Sequence, residues 1–174
     1  MKNFSEIQSL MKSDIEKTDK ILIDRLNSNV DLINQMSHYI IASGGKRLRP
    51  LLLLLSARAT NYVGTNHHAM AVVIELIHTA TLLHDDVVDE SITRRGQDTA
   101  NELWGNAPSV LVGDFLYSRA FEIMVEPNSM AIMRILSKST NRIAEGEVLQ
   151  LLNIRNANVS QTEYFKVIEK KTAC

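Results

Sequence analysis

Asp85, Asp86 and Asp89 place three carboxylates inside the run LLHDDVVDES that occupies positions 82–91. If this stretch is helical, with His78 as the angular origin, Asp85 falls at about −20° and Asp89 at about 20°, while Asp86 stands about 80° away. His78, Asp85 and Asp89 then share one face. Two carboxylates at i and i+4 lie about 6 Å apart and repel, and a helix C-terminus disfavours anions further. A hard cation held between the carboxylates would turn that repulsion into binding. Arg94 and Arg95 follow within a short loop. Mg²⁺ takes one or two carboxylates plus phosphate oxygens, and guanidinium forks bind the same phosphates, so this mixture of charges suits a diphosphate. A second cluster, Gly44-Gly45-Lys46-Arg47-Leu48-Arg49-Pro50, sets cations on a glycine turn at a helix N-terminus, where backbone N–H groups and the helix dipole add to the attraction for an anion. It lacks the P-loop spacing. The plainer alternatives are a solvated acidic helix end and a glycine helix cap followed by surface basic residues. Ile77 to Leu83 is too apolar for a wholly exposed helix, which favours an acid cluster at the mouth of something buried. A His84-Asp85 pair completed by His38, His67, His68 or His78 would suit a metal-dependent phosphohydrolase, but leaves both basic clusters unexplained.

The elements that must carry these groups read as helices near 4–26, 30–42, 50–61, 67–90, 108–125, 128–154 and 161–174, with a short one around 99–104. Pro50, Pro108 and Pro127 stand at helix starts, where the missing N–H is not needed. Ser160-Gln161-Thr162-Glu163 has the capping-box pattern, and nothing in the sequence ends that helix before Cys174. No segment reads as a convincing strand. The expectation is an all-α bundle forming a single domain over 1–174, without internal boundary, repeat or linker.

Composition sets outer limits. The 174 residues include 45% hydrophobic and 22% charged, ordinary values for a folded chain of one domain. A net charge of −1 removes the global basicity that would point to nucleic acid or an anionic membrane. Cys174 is the only cysteine, so no disulfide framework or cysteine zinc site is available. The opening residues lack a targeting pattern, and Leu51 to Leu55 is far too short to span a bilayer. A soluble cytoplasmic protein is expected.

Taken together, GGKRLRP at 44–50, LLHDDVVDES at 82–91, RRG at 94–96, VGDFLYSRAF at 112–121 and GEVLQL at 146–151 resemble the trans-prenyl diphosphate synthases, nearest to their long-chain, octaprenyl-type branch. The resemblance implies the N-terminal half of an isoprenoid-synthase-type helical bundle. It implies that Lys46, Arg49, His78 and Arg95 hold isopentenyl diphosphate. Asp85 and Asp89, supported by Asp86, would bind the Mg²⁺ ions of an allylic diphosphate that Arg94 also touches. Lys171 and Thr172 would stand beside the ionising carbon, and Gln150 would face the metal ions. The implied reaction ionises the allylic diphosphate, joins the cation to isopentenyl diphosphate and loses a proton. Its product would be a long all-trans polyprenyl diphosphate that partitions into membranes and serves quinone side chains. A homodimer is the family's usual state.

Short-chain members carry bulky aromatics one helical turn below the first aspartate, where this chain has Ala80 and Thr81, so a long product is implied. Candidates for the tunnel floor are Ile74, Met70, Met124 and Met133. The family's second aspartate-rich motif does not occur in these 174 residues, so the chain alone is expected to supply one wall of the metal site and to be inactive in isolation. Two other readings stay open: a non-catalytic partner subunit of a synthase, and a class I terpene cyclase, which would not need Lys46, Arg49 and Arg95.

Overall fold

The computed structural model describes residues 3–173; Cys174, noted above for its lack of a partner, lies outside them. Nine helices and one two-stranded hairpin are found among the described residues. They form two compact units, one up to Pro127 and one from Asn128 onward.

The first unit begins with α1 (Phe4–Leu10), started by a capping box between Asn3 and Glu6, and α2 (Lys12–Leu26). One helix was expected across 4–26. The break falls at Met11, whose backbone leaves helical geometry and whose side chain is fully buried against Leu51, Leu54 and Ala71. Burying this large apolar group outweighs helix continuity. α3 (Asp31–Ala42) ends at Gly44, which is in the left-handed region at φ 71°. Gly44 therefore closes the helix just past its Ser43 cap, as the plainer reading has it, and the same turn leads directly into α4 (Leu48–Ala59). That helix starts two residues ahead of the expected position, with Pro50 inside its first turn, where four N–H groups lack intrahelical partners anyway.

α5 (Asn66–Val88) is the axis of the unit. It packs against α2, α4 and most extensively α7, so it is buried around much of its circumference, through Val72, Val73, Leu76, Ala80 and Leu83. An all-round apolar helix has to be central. Beyond it, Thr93–Arg94 (β1) and Gln97–Asp98 (β2) pair antiparallel, where no strand was expected. Arg95 at φ 55° and Gly96 at φ 78° make the two-residue turn with both φ positive that a tight hairpin needs. Arginine at the first of those positions disguises the signal. The loop is closed by Thr99, whose hydroxyl donates to Ser91 O at 2.6 Å, ahead of α6 (Ala100–Trp104) and α7 (Asn106–Val125).

In the second unit, α8 (Met130–Leu152) starts at Ser129, whose Oγ accepts from Ile132 N. α9 (Gln161–Lys171) starts with the expected Ser160–Glu163 capping box but ends at Lys171, with Thr172 as its C-cap. α9 folds back along α8. Ion pairs Arg142–Glu169, Glu145–Lys170 and Glu147–Lys171 join the two helices. Gly146 makes the approach feasible, because a Cβ there would stand 2.8 Å from Lys171 N.

Candidate functional site

The turn between α3 and α4, the middle of α5 and the β1–β2 turn meet in the first unit. Lys46, Arg49, His78 and Arg95 line a single open cleft of about 450 Å³, together with Arg47 and Glu75. Arg95 reaches it from the hairpin by lying over Gly45: a Cβ on that glycine would be 2.8 Å from the Arg95 Nη1. The second glycine of the pair thus makes room for a guanidinium, which explains the Gly-Gly more specifically than loop flexibility would.

Arg47 takes a different path from its charged neighbours. Held at φ 48° at the start of α4, it turns inward to pair with Glu75, a residue of α5 only 8% exposed, with Asp19 of α2 3.9 Å from its Nε. Two carboxylates therefore hold one guanidinium beneath the anion turn. Lys46 and Arg49, both exposed, face the cleft. The sequence shows three equivalent cations here; the structure divides them into one anchor and two exposed groups that line the cleft. A charged residue, Glu75, inside the otherwise apolar run 70–77 was the available signal.

Nη1 of Arg49 lies 3.2 Å from Nε2 of His78. Since a guanidinium only donates, Nε2 accepts and the ring proton sits on Nδ1. Burial, with the Arg49, Arg95 and Arg94 charges, pushes His78 down to about 4, so the ring is neutral at pH 7.

At the C-terminal end of α5, Asp86 is 5% exposed and is gripped by Arg94: Nη2 donates to Oδ1 at 2.7 Å, and Nε to Oδ1 and Oδ2 at 3.0 and 3.1 Å. The Asp86 hydrogen bond, with smaller contributions from the Asp85 and Asp89 charges, raises the Arg94 pKa. Arg94 and Arg95, adjacent in sequence, thus do different things: the first ties the hairpin to α5 and the second faces the cleft. Asp85 is half-buried, and Asp89, capping α5, is exposed. The three carboxylates do not converge on one point; among the described residues the group that does lies elsewhere. Mg²⁺ nevertheless needs only one or two carboxylates, its remaining positions being filled by water and phosphate, so the hard oxygens of Asp85 and Asp89 fit it, with Asp86 committed to Arg94.

His84 faces α7. Its Nε2 lies 3.2 Å from Val110 O and 3.4 Å from Asp114 Oδ1, over Gly113, where any Cβ would collide with the ring. This accounts for the Gly-Asp of VGDF, and it removes His84 from a phosphohydrolase site. In the second unit Lys171 Nζ donates to Glu147 at 2.6 Å, Thr172 is exposed at the helix end, and Gln150 is half-buried on α8. Ala80, Met70 and Met124 are core residues, while Ile74, Thr81 and Met133 are half-buried.

A family model described as polyprenyl synthetase matches residues 30–174. This chain belongs to the polyprenyl synthetase family. It is 50% identical over 171 residues to octaprenyl diphosphate synthase of Escherichia coli (strain K12), covering 98% of the chain and 53% of that relative. It is 48% identical to octaprenyl diphosphate synthase of Haemophilus influenzae, covering 98% of the chain and 52% of that protein. The chain thus spans about half the length of the curated relatives it matches. Among solved structures, a polyprenyl synthase from Caulobacter crescentus complexed with calcium and isoprenyl diphosphate superposes with a TM-score of 0.94 at 46% identity, over 97% of this chain and 52% of that one. A decaprenyl diphosphate synthase from Rhodobacter capsulatus gives 0.94 at 43%, over 98% and 53%. The polyprenyl synthetase assignment and the all-α, isoprenoid-synthase fold therefore agree with the sequence motifs.

Proposed function

We propose that this chain carries the isopentenyl diphosphate site and the first acidic motif of a long-chain trans-prenyltransferase. The observation that carries the reading is the convergence of Lys46, Arg49, His78 and Arg95 on one cleft beside the acidic end of α5. Lys46, Arg49 and Arg95 bind the isopentenyl diphosphate through charge-assisted hydrogen bonds. Neutral His78 accepts from Arg49 and so aims that guanidinium. Asp85 and Asp89 would hold Mg²⁺, which when bound would supply neutralisation of negative charge on the allylic diphosphate. Arg94 keeps Asp86 and the hairpin in register, which leaves Arg95 for the isopentenyl diphosphate. By resemblance, Lys171, Thr172 and Gln150 serve the allylic substrate.

An octaprenyl-like product is the reading the relatives' names support; the family resemblance adds a use in quinone side chains and a cytoplasmic homodimer whose two units per chain belong to one domain. The family model that crosses both units supports the last point. No helix among the described residues is long and apolar enough to cross a membrane.

Calorimetric titration of the chain with isopentenyl diphosphate tests the reading. Binding is expected without Mg²⁺, weakened at least about tenfold by Lys46→Ala or Arg49→Ala, given that each removes a hydrogen bond to a charged group. Absence of binding, or undiminished affinity in both variants, would overturn it. Incorporation of labelled isopentenyl diphosphate onto an allylic diphosphate separates a prenyltransferase from a terpene cyclase.

A further inference from the structure

At the opposite end of α5 from the acidic motif, Asp14 of α2 and His67 and His68 of α5 each bring one ligand atom to within 4.8 Å of the others. We propose that these three residues form a binding site for a transition-metal dication of the zinc class, separate from the Mg²⁺ carboxylates. His67 and Asp85 stand eighteen positions apart on α5, about 27 Å along the helix. The donor chemistry differs as well. Two imidazoles and one carboxylate suit Zn²⁺, Co²⁺ or Ni²⁺, whereas the carboxylates at 85–89 suit Mg²⁺.

Oδ1 of Asp14 lies 3.1 Å from Nε2 of His68, close to the spacing of about 3.3 Å between two ligands bound tetrahedrally at 2.0–2.1 Å. The other oxygen, Oδ2, accepts from Arg58 Nη2 at 2.8 Å and Nε at 3.0 Å. That is the outer hydrogen bonding expected of a carboxylate ligand. Burial works against ionising Asp14, but His68 and Arg58 outweigh it and hold its pKa below the usual range. His68 is 9% exposed. These contacts alone would satisfy Asp14 and His68 without any ion. What they leave over is His67: its Nδ1 is enclosed and makes no hydrogen bond, and its ring sits 3.9 Å from that of His68. A metal would take one nitrogen of His67, a ring whose Nδ1 is otherwise idle, and would leave a fourth position for water. Its effect would be to fasten the N-terminal helix α2 to the start of α5, raising stability by mass action.

The test uses the whole chain at neutral pH, with Zn²⁺ by calorimetry and Co²⁺ by its visible absorption. One equivalent is expected to bind, with the intense visible bands of four-coordinate Co²⁺, with a raised melting temperature and with no competition from a large excess of Mg²⁺. Asp85→Asn/Asp89→Asn should bind unchanged, whereas Asp14→Asn and His67→Ala should lose at least about 100-fold in affinity, at or beyond the upper end for an outer-shell change. His67→Ala leaves the Asp14–His68–Arg58 network intact, so it decides the matter even if Asp14→Asn does not fold. No stoichiometric binding, or full binding by His67→Ala, would overturn the proposal.

Discussion

His78 gives the most direct measurement at the residue scale. Its pKa in the folded chain is about 4 against an ordinary imidazole value near 6.5, so between these values the unfolded chain binds more protons than the folded one. The His78 contribution to stability therefore falls as pH drops from about 6.5 to about 4 and levels off below. NMR titration of the His78 ring should show the low midpoint, and its shift upward when diphosphate fills the cleft. His78→Gln should flatten that portion of the stability curve; a midpoint near 6.5 would contradict the packing described. Gly113 offers a second residue-level test. Gly113→Ala forces a Cβ onto the His84 ring and should destabilise by about 1–3 kcal/mol, the range for overpacking. In the double variant with His84→Ala, urea denaturation should show part of that loss recovered, since the colliding partner is gone.

At the scale of elements, the anion turn depends on the pair Arg47–Glu75. Glu75→Gln strips a largely buried guanidinium of its main partner and should cost about 3 kcal/mol in denaturant unfolding. Its effect on ligand binding has an informative sign. Removing a carboxylate should tighten anion binding if only charge mattered, whereas loss of the anchor should weaken isopentenyl diphosphate binding in calorimetry by loosening Lys46 and Arg49. We expect weakening. The contrast also shows what sequence reasoning reaches. Periodicity, prolines and the Ser160 capping box locate nearly every helix within a few residues, because local rules decide them. Met11, Arg47 and the 93–98 hairpin escape it for a shared reason: each is settled by a tertiary partner, whether a core pocket, a buried carboxylate or the Asp86–Arg94 grip. The candidate cleft residues were legible as cations. Which cation anchors and which is left to the cleft was not, since Arg47 and Arg94 differ from Arg49 and Arg95 only in the carboxylate each one meets.

For the whole molecule, burial is uneven. α5 buries Val72, Val73, Leu76, Ala80 and Leu83. α8, by contrast, buries only Thr140 and Gly146 among its described residues, and α9 none, while Leu151, Leu152, Tyr164 and Phe165 are exposed. Local opening free energy follows buried contacts. Amide hydrogens of α8 and α9 should accordingly exchange well before those of α5, read peptide by peptide in mass spectrometry. Equal protection would show that the second unit is stabilised by something other than its own packing. The β1–β2 turn is the opposite case, a few residues whose shape is fixed in advance. Because Arg94 is moored on one side and Gly96 bends the chain on the other, Arg95 would, on the proposed reading, meet an arriving phosphate already in position. Capture then requires little new ordering of backbone, and a longer or more pliable loop bearing the same two arginines would hold its ligand less tightly despite identical charge.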